Sequence, residues 1–236
     1  MDIIEIQKKL SSIKKMGYVK SFNHRNGDTG SVGRTLEFLM GLKENNIDLP
    51  DLGKIELKSQ RQDDNSMLTL FTYDRGVWIM KQLDAIEKYG VYDPDGKKGM
   101  NYTISMKPNK AGFFIHIDDE YVSVKHNDGT IIAKWGLDNL VKKFQTKVKK
   151  VLLVSAKVKI VDGVEHYHYD EANLLNSKTN KNLLIDRFKN GEILIDLRLH
   201  RKEVAGKKPA SRNHGTAFRV KRNKLELIYE NIKEIL

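Results

Sequence analysis

The stretch PDLGKIELKSQ, residues 50–60, reads as a turn that feeds a short strand. Leu49-Pro50-Asp51-Leu52-Gly53 carries the turn residues, and Lys54–Gln60 alternates as a strand does. Alternation sends Ile55 and Leu57 into a core and leaves Glu56 and Lys58 together on the opposite face, neighbours about 7 Å apart. Asp51 sits on the turn just before the strand and can fold back beside Glu56. Two carboxylates converging with one ammonium is what a hard divalent cation requires for phosphodiester hydrolysis. Oxygen ligands hold Mg²⁺, the metal polarises the phosphoryl group and acidifies a bound water, and the lysine orients that water or stabilises developing charge. The plainer reading is an exposed strand, where Glu-x-Lys is common, so the neighbouring sequence has to decide.

Upstream, a helix expected over Thr35–Lys43 carries Glu37 at the edge of an apolar face made by Val32, Leu36, Leu39 and Met40. A charge there needs a partner, and Lys58 or a metal-bound water would serve. The helix follows a glycine-rich loop, 23–33. A helix at 2–16 precedes that loop, capped by Asp2, with Ile3, Ile6, Leu10 and Ile13 at helical spacing and Gly17 closing it. Downstream, the pattern predicts a strand at Met67–Thr72 and a helix at Val77–Tyr89 stopped by Gly90. Short strands follow over 101–134, punctuated by turn signals at Asn109-Lys110, Asp118-Asp119 and Asn127-Asp128-Gly129. Then come a helix at Leu137–Gln145, strands at Val151–Lys157 and His166–Tyr169, a helix at Lys181–Lys189, strands at Glu192–Leu199 and Ala217–Val220, and a closing helix from Lys224. This order predicts an α/β or α+β protein with a central mixed sheet flanked by helices.

The charge balance favours a polyanionic partner. The 236 residues carry 42 Lys and Arg against 31 Asp and Glu, a net charge of +11. Between Arg198 and Lys224 ten are basic and only Glu203 is acidic. Asp196 and Arg198 share one strand face, where a carboxylate can accept from cytosine N4 and a guanidinium can bond guanine O6 and N7. Arg201, Lys202, Lys207 and Lys208 suit phosphates, which position a duplex without specifying it. With no cysteine there is no disulfide, thiolate metal site or cysteine nucleophile. The seven histidines lack zinc-like spacing, and His166 and His168 read as ordinary polar residues. The charged start MDIIEIQKKL and the lack of a long apolar run lead to the expectation of a soluble, cytoplasmic protein without signal peptide or membrane partner.

GDTGSVGRTLEFLMGLKENNIDLPDLGKIELKSQ (27–60), SMLTLFT (66–72), IDLRLH (195–200) and RNHGTAFRV (212–220) together closely resemble the MvaI/BcnI family of restriction endonucleases, the last block resembling its MvaI side. That family shares its catalytic fold with the mismatch-repair nicking enzyme MutH. The resemblance implies a single domain over 1–236 in which two lobes clamp DNA. The catalytic lobe would take roughly 1–100 and 145–175, and the recognition lobe would include roughly 190–236. Glu37, Asp51, Glu56 and Lys58 fall on the family's active-site glutamate, its metal-binding aspartate and glutamate, and its catalytic lysine. Asp196, Arg198, His214 and Arg219 fall on base-reading residues. Arg212 is a departure, since the MvaI-like pattern has histidine two residues before His214. The implied activity is a type II restriction endonuclease of a prokaryotic cytoplasm, using Mg²⁺ or, in substitution, Mn²⁺. It would cut double-stranded DNA at 5′-CC(A/T)GG, with 5′-CC(C/G)GG as second choice, as a monomer that nicks one strand and then the other. Its partners would be DNA and a cognate DNA methyltransferase, with no obligate protein partner.

Two other readings share these residues. A MutH-like repair nicking enzyme would need a partner for activation, so cleavage by the purified protein alone separates it. A non-catalytic DNA-binding module would hold the acidic cluster for structure only, and metal-dependent cutting separates that.

Overall fold

The computed structural model describes residues 1–22, 30–42, 49–62, 66–177, 179–203, 206 and 208–236. The chain divides into two compact units. The first contains Met1–Ser66, Gln145–Lys178 and Glu226–Leu236, and the second contains Met67–Phe144 and Thr179–Leu225.

The first unit is built on a mixed sheet. Strand β2 (Glu56–Arg61) pairs in parallel with β9 (Lys150–Val161), with Glu56 opposite Val151 and Lys58 opposite Leu153. Strand β9 turns back antiparallel into β10 (Val164–Ser177), which also pairs with β1 (Val19–Lys20) and β14 (Tyr229–Glu234). A parallel pair needs a long crossover, and here most of the second unit lies in the chain between β2 and β9. The β9–β10 turn is Asp162-Gly163, both at positive φ (49° and 74°), as the tightest hairpin turns require. Helix α1 (Ile3–Lys15) begins in a capping box, where Asp2 Oδ1 accepts from Glu5 N at 2.8 Å and Glu5 Oε2 from Asp2 N at 2.9 Å. Its buried Ile6, Leu10 and Ile13 join Val32, Leu36 and Met40 around helix α2 (Ser31–Leu39), with Ile55, Leu57, Leu152 and Val154 from the sheet. The core-facing alternation expected of Ile55 and Leu57 is therefore present. Glu56 is only 4% exposed as well, so β2 is covered on both faces at this point.

The second unit is antiparallel. Its larger sheet runs β3 (Met67–Thr72), β13 (Ala217–Lys221), β11 (Ile193–Lys202), β5 (Lys98–Ile104) and β4 (Val91–Tyr92), with β12 (Ala210–Asn213) added to β11. A second sheet joins β6 (Phe113–Ile117), β7 (Tyr121–His126) and β8 (Ile131–Gly136). Helix α3 (Gln82–Tyr89) is shorter than the sequence pattern indicated. Val77–Met80 are drawn into hydrogen bonds with β8, Ile79 N to Ile132 O at 3.0 Å and Lys134 N to Val77 O at 2.8 Å. Helix α4 (Leu137–Lys147) ends in the first unit. Helix α5 (Lys181–Lys189) opens on Asn180, whose side chain accepts from Leu183 N at 2.9 Å.

The closing helix expected from Lys224 is replaced by a 3-10 turn, Arg222–Leu227, and by β14. Its apolar spacing suits a helix, but tertiary pairing overrides it. Tyr229 is buried with its hydroxyl donating to Val148 O at 3.1 Å, and Ser177 Oγ donates to Ile228 O at 2.9 Å. No helix among the described residues is long and apolar enough to cross a membrane.

Candidate active site and recognition surface

The turn before β2 is held by Leu52 N donating to Ile55 O at 2.9 Å, with Gly53 at φ 83°, a conformation that favours glycine. This fold-back brings the Asp51 carboxylate onto the strand, where its Oδ2 accepts from Leu57 N at 3.1 Å. Lys58 Nζ donates to Glu56 Oε1 at 2.8 Å along the same strand face. Asp51, Glu56 and Lys58 are thus gathered within one turn and one strand start. Glu37 is half-buried on α2. Its negative charge adds to the burial that holds the Tyr169 phenol above the ordinary range. That phenol donates to Val32 O at 2.7 Å.

Two features of this region escaped the sequence. The first is Lys147, the last residue of α4. Its ammonium lies 2.9 Å from Glu56 Oε2 and donates to Leu49 O at 2.7 Å. The approach to Oε2 is at ion-pair distance but off the hydrogen-bond line, and that buried oxygen has no hydrogen-bond partner. Tyr229 senses the same carboxylate: burial first, then the Glu56 charge, push its phenol well above the ordinary range. The second is a network on the other face of β2. Arg61 donates to both oxygens of Glu165 (Nε at 3.0 Å, Nη2 at 2.6 Å) and to Ser31 Oγ at 3.2 Å, and Tyr167 also donates to Glu165. The Arg61 hydrogen bond is the main cause of a Glu165 pKa below the usual carboxylate range. The network ties α2, β2 and β10 together. Arg61 lies one residue beyond the strand expected over Lys54–Gln60, and its partner lies 104 residues away and leaves no local signal.

For a divalent cation the donor set fits. Among the described residues no group of three or more His, Cys, Asp or Glu side chains could hold a metal ion. Mg²⁺ needs no such cage, because it is commonly held by one or two carboxylates while water and substrate phosphate complete its shell. Asp51 and Glu56 supply two carboxylates, and Glu56 Oε2 is a buried oxygen without a hydrogen bond.

In the second unit, β11 turns Asp196, Arg198 and His200 to one face by the same alternation. Asp196 is 6% exposed, and its Oδ2 accepts from Arg219 Nη1 at 2.7 Å. Arg219 sits diagonally opposite on β13 and also donates to Met67 O at 2.7 Å. Asp196 Oδ1 and Arg219 Nε have no hydrogen-bond partner. Arg198 is engaged differently. Its Nε and Nη2 donate to Gly215 O at 3.1 and 3.0 Å, and Nη2 also to His214 O at 3.2 Å, so it clamps the turn that carries His214. Asp74 completes that clamp by accepting from Asn213 Nδ2 at 2.9 Å and Thr216 N at 2.7 Å. Gly215, at φ 94°, passes so close to Thr72 that an added Cβ would stand 3.0 Å from its Cγ2. The His214 ring stacks on His200 with centroids 5.0 Å apart. Partial desolvation, then Arg212, His200 and Arg198, lower its pKa below the ordinary range. Imidazole is accordingly its form near neutral pH. Arg212 and Lys208 are exposed, and Lys207 lies outside the described residues, as do the loop segment 23–29 and Asn45-Asn46.

The fold has counterparts among known proteins. The solved complex of restriction endonuclease MvaI with its cognate DNA substrate matches with a TM-score of 0.81 and 26% identity, covering 100% of each chain. The structure of MvaI in the absence of DNA matches with a TM-score of 0.55 and 25% identity, over 100% of this chain and 99% of the other. Among curated proteins, none matches. A family model described as the MvaI/BcnI restriction endonuclease family matches residues 7–229. The chain belongs to the MvaI/BcnI restriction endonuclease family and is a type II restriction endonuclease.

Proposed function

We propose that this enzyme hydrolyses double-stranded DNA with Mg²⁺ at 5′-CC(A/T)GG, through Asp51, Glu56 and Lys58 in its first unit and a reading surface in its second. The observation that supports the chemistry is the placement of these residues on one turn and the strand it feeds, with Lys58 Nζ donating to Glu56 Oε1 at 2.8 Å and Asp51 Oδ2 accepting from Leu57 N at 3.1 Å. Asp51 and Glu56 would hold the cation, which when bound supplies Lewis-acid polarisation of the phosphoryl group and an acidified water. Lys58 orients the attacking water or meets the charge that develops on the phosphoryl oxygens. Glu37 is the third carboxylate of this set.

Recognition is assigned to Asp196, Arg198, His214 and Arg219, with Arg212, Lys207 and Lys208 contributing cationic contacts. A carboxylate beside a guanidinium suits neighbouring cytosine and guanine edges. The unpartnered Asp196 Oδ1 and Arg219 Nε support a pair built to take further partners. In Arg198, Nε and Nη2 hold the His214 turn, which leaves Nη1 for a base.

One cluster of Asp, Glu and Lys cleaves one strand per binding event, so a monomer on this pseudopalindrome must turn around to cut the second. The test is a digest of plasmid of known sequence by purified protein and Mg²⁺, with the ends mapped. Cuts at 5′-CC(A/T)GG, nicked circles before linear product and a rate proportional to enzyme are expected. Ends mapping to 5′-CC(C/G)GG would replace the target. Concerted linearisation by a dimer would remove the monomer scheme. Activity only with an added protein would favour a MutH-like nicking enzyme, and no cutting at all would leave a binding module. In a cell, the partner that protects host sites would be a cognate methyltransferase.

A further inference from the structure

Glu56 sits between two ammonium groups, and the two are not held alike. Lys58 reaches Oε1 along its own strand with a hydrogen bond of 2.8 Å. Lys147 reaches Oε2 from the last turn of α4, at 2.9 Å but without hydrogen-bond alignment, while its aligned bond runs to Leu49 O at 2.7 Å. Lys147 is therefore anchored by a neutral carbonyl beside the Pro50-Asp51 turn and contributes mainly charge to Glu56. It can give up the carboxylate without losing its anchor.

A carboxylate side chain that is 4% exposed needs a compensating charge beside it. The two lysines match Asp51 and Glu56 in charge, so these four groups sum to zero without a metal. A divalent cation held by Asp51 and Glu56 adds two positive charges to them, with an ammonium already against the Oε2 side of Glu56.

We infer that Lys147 is the resident countercharge of Glu56, and that its ammonium and a divalent cation oppose each other at that carboxylate. This rests on the reading that Asp51 and Glu56 hold the metal. It makes Lys147 a positioning residue for the metal-free protein: it balances the Glu56 charge and holds that side chain in place, and it weakens metal binding in the absence of DNA. Substrate phosphate, being anionic, would offset the excess positive charge and make full metal loading dependent on DNA.

The experiment uses the full chain without DNA and reads Mn²⁺ binding by the loss of the free-ion signal in electron paramagnetic resonance. Lys147→Gln removes the charge and retains a donor for Leu49 O, and Lys147→Met removes both. Each is expected to bind Mn²⁺ about tenfold more tightly than wild type or better. Each should also melt lower in chelator and regain more on adding Mn²⁺ than wild type does. Should Lys147→Met fail to fold, Lys147→Gln alone carries the test. Glu56→Gln is the control for the underlying reading and should lose Mn²⁺ binding. If Glu56→Gln binds Mn²⁺ as wild type does, the metal assignment itself falls. If Glu56→Gln loses binding while Lys147→Gln binds no more tightly than wild type, the assignment stands and the role of Lys147 is overturned. A lysine that only shaped the fold would lower metal affinity on removal, the opposite sign.

Discussion

The two units each bury a carboxylate and compensate it in different ways. Glu56, in the first unit, meets two lysines, each a compact point charge on a flexible stem. Asp196, in the second, meets one arginine fork that also hydrogen-bonds a backbone carbonyl. A point charge can be exchanged for another cation with little loss of geometry, which suits the proposed metal site, where metal, water and phosphate would come and go. A planar fork fixes direction, which suits the proposed reading surface, which would tell one base edge from another. Both carboxylates keep an oxygen without a hydrogen bond, Glu56 Oε2 and Asp196 Oδ1. The same need, a buried charge in want of a partner, is thus met with lability in one unit and with direction in the other.

The sharpest way to break this comparison is at Lys58. Lys58→Ala should lower single-turnover cleavage by about 10²–10⁴-fold or more, the range for a group acting on the attacking water. Asp51→Ala and Glu56→Ala should be at least as severe. Cognate DNA binding should survive best in Lys58→Ala, where both carboxylates remain. Near wild-type cutting by Lys58→Ala with Mg²⁺ would end the catalytic assignment of the first unit.

In the second unit the matching change is Arg219→Ala. Asp196 would be left buried without its guanidinium, at a cost of about 3 kcal/mol in stability. Loss of a base contact should cost a further 1–3 kcal/mol or so in discrimination between cognate and singly substituted duplexes. Urea unfolding and competition binding measure the two separately. Arg219→Lys tests the fork itself: stability should recover in part and discrimination should not. If lysine restores both, direction is not what this pair provides.

How much of this was legible in the sequence depends on the range of the interaction. Asp51, Glu56 and Lys58 lie within eight residues, so alternation and one turn were enough to bring them together. The pairing of Asp196 with Arg219 could not be read that way, although both residues were singled out, because a cross-strand diagonal depends on register. Lys147, Asp74, and the Arg61 and Glu165 pair were missed altogether, since each finds its partner across 70 residues or more and nothing local marks them. The β9–β10 hairpin carried a readable signal, Asp162-Gly163 between Val161 and Val164, that a short-strand reading of His166–Tyr169 overlooked. The C-terminal strand was a true conflict. Leu225, Ile228, Ile232 and Ile235 fit a helix, and the pairing with β10 decided otherwise.

A smaller effect separates structural charge from functional charge within the first unit. Glu165 has its pKa lowered chiefly by the hydrogen bond from Arg61. A depressed carboxylate contributes stability that is fully present above its unfolded pKa, about 4.3, and is lost as pH falls through the folded value. Arg61→Met should therefore be less stable than wild type by about 1 kcal/mol at neutral pH, discounted for the partial exposure of the pair. The two proteins should converge in stability as pH falls below about 4. A constant difference down to pH 2 would assign the loss to packing instead of charge.

The smallest effect is expected at Lys208, and it tests whether the basic stretch divides into readers and holders. Lys208 is exposed, and nothing in the described structure engages its ammonium. A phosphate contact neutralises one backbone charge and releases one counterion's worth of screening, whatever the base sequence beneath it. Lys208→Ala should therefore weaken cognate and random duplexes by the same modest factor. It should also flatten the dependence of log affinity on log salt by about one unit. Folded stability should not move, because an exposed ammonium without a partner supports no packing. Arg219→Ala should behave in the reverse way on every count, with unequal effects on cognate and random DNA, a nearly unchanged salt slope and a lower unfolding midpoint. Measured side by side over a salt series, the two substitutions either separate along both axes or the division between reading and holding does not exist. A Lys208→Ala variant that lost cognate binding alone would place a base contact in the stretch assigned to phosphates.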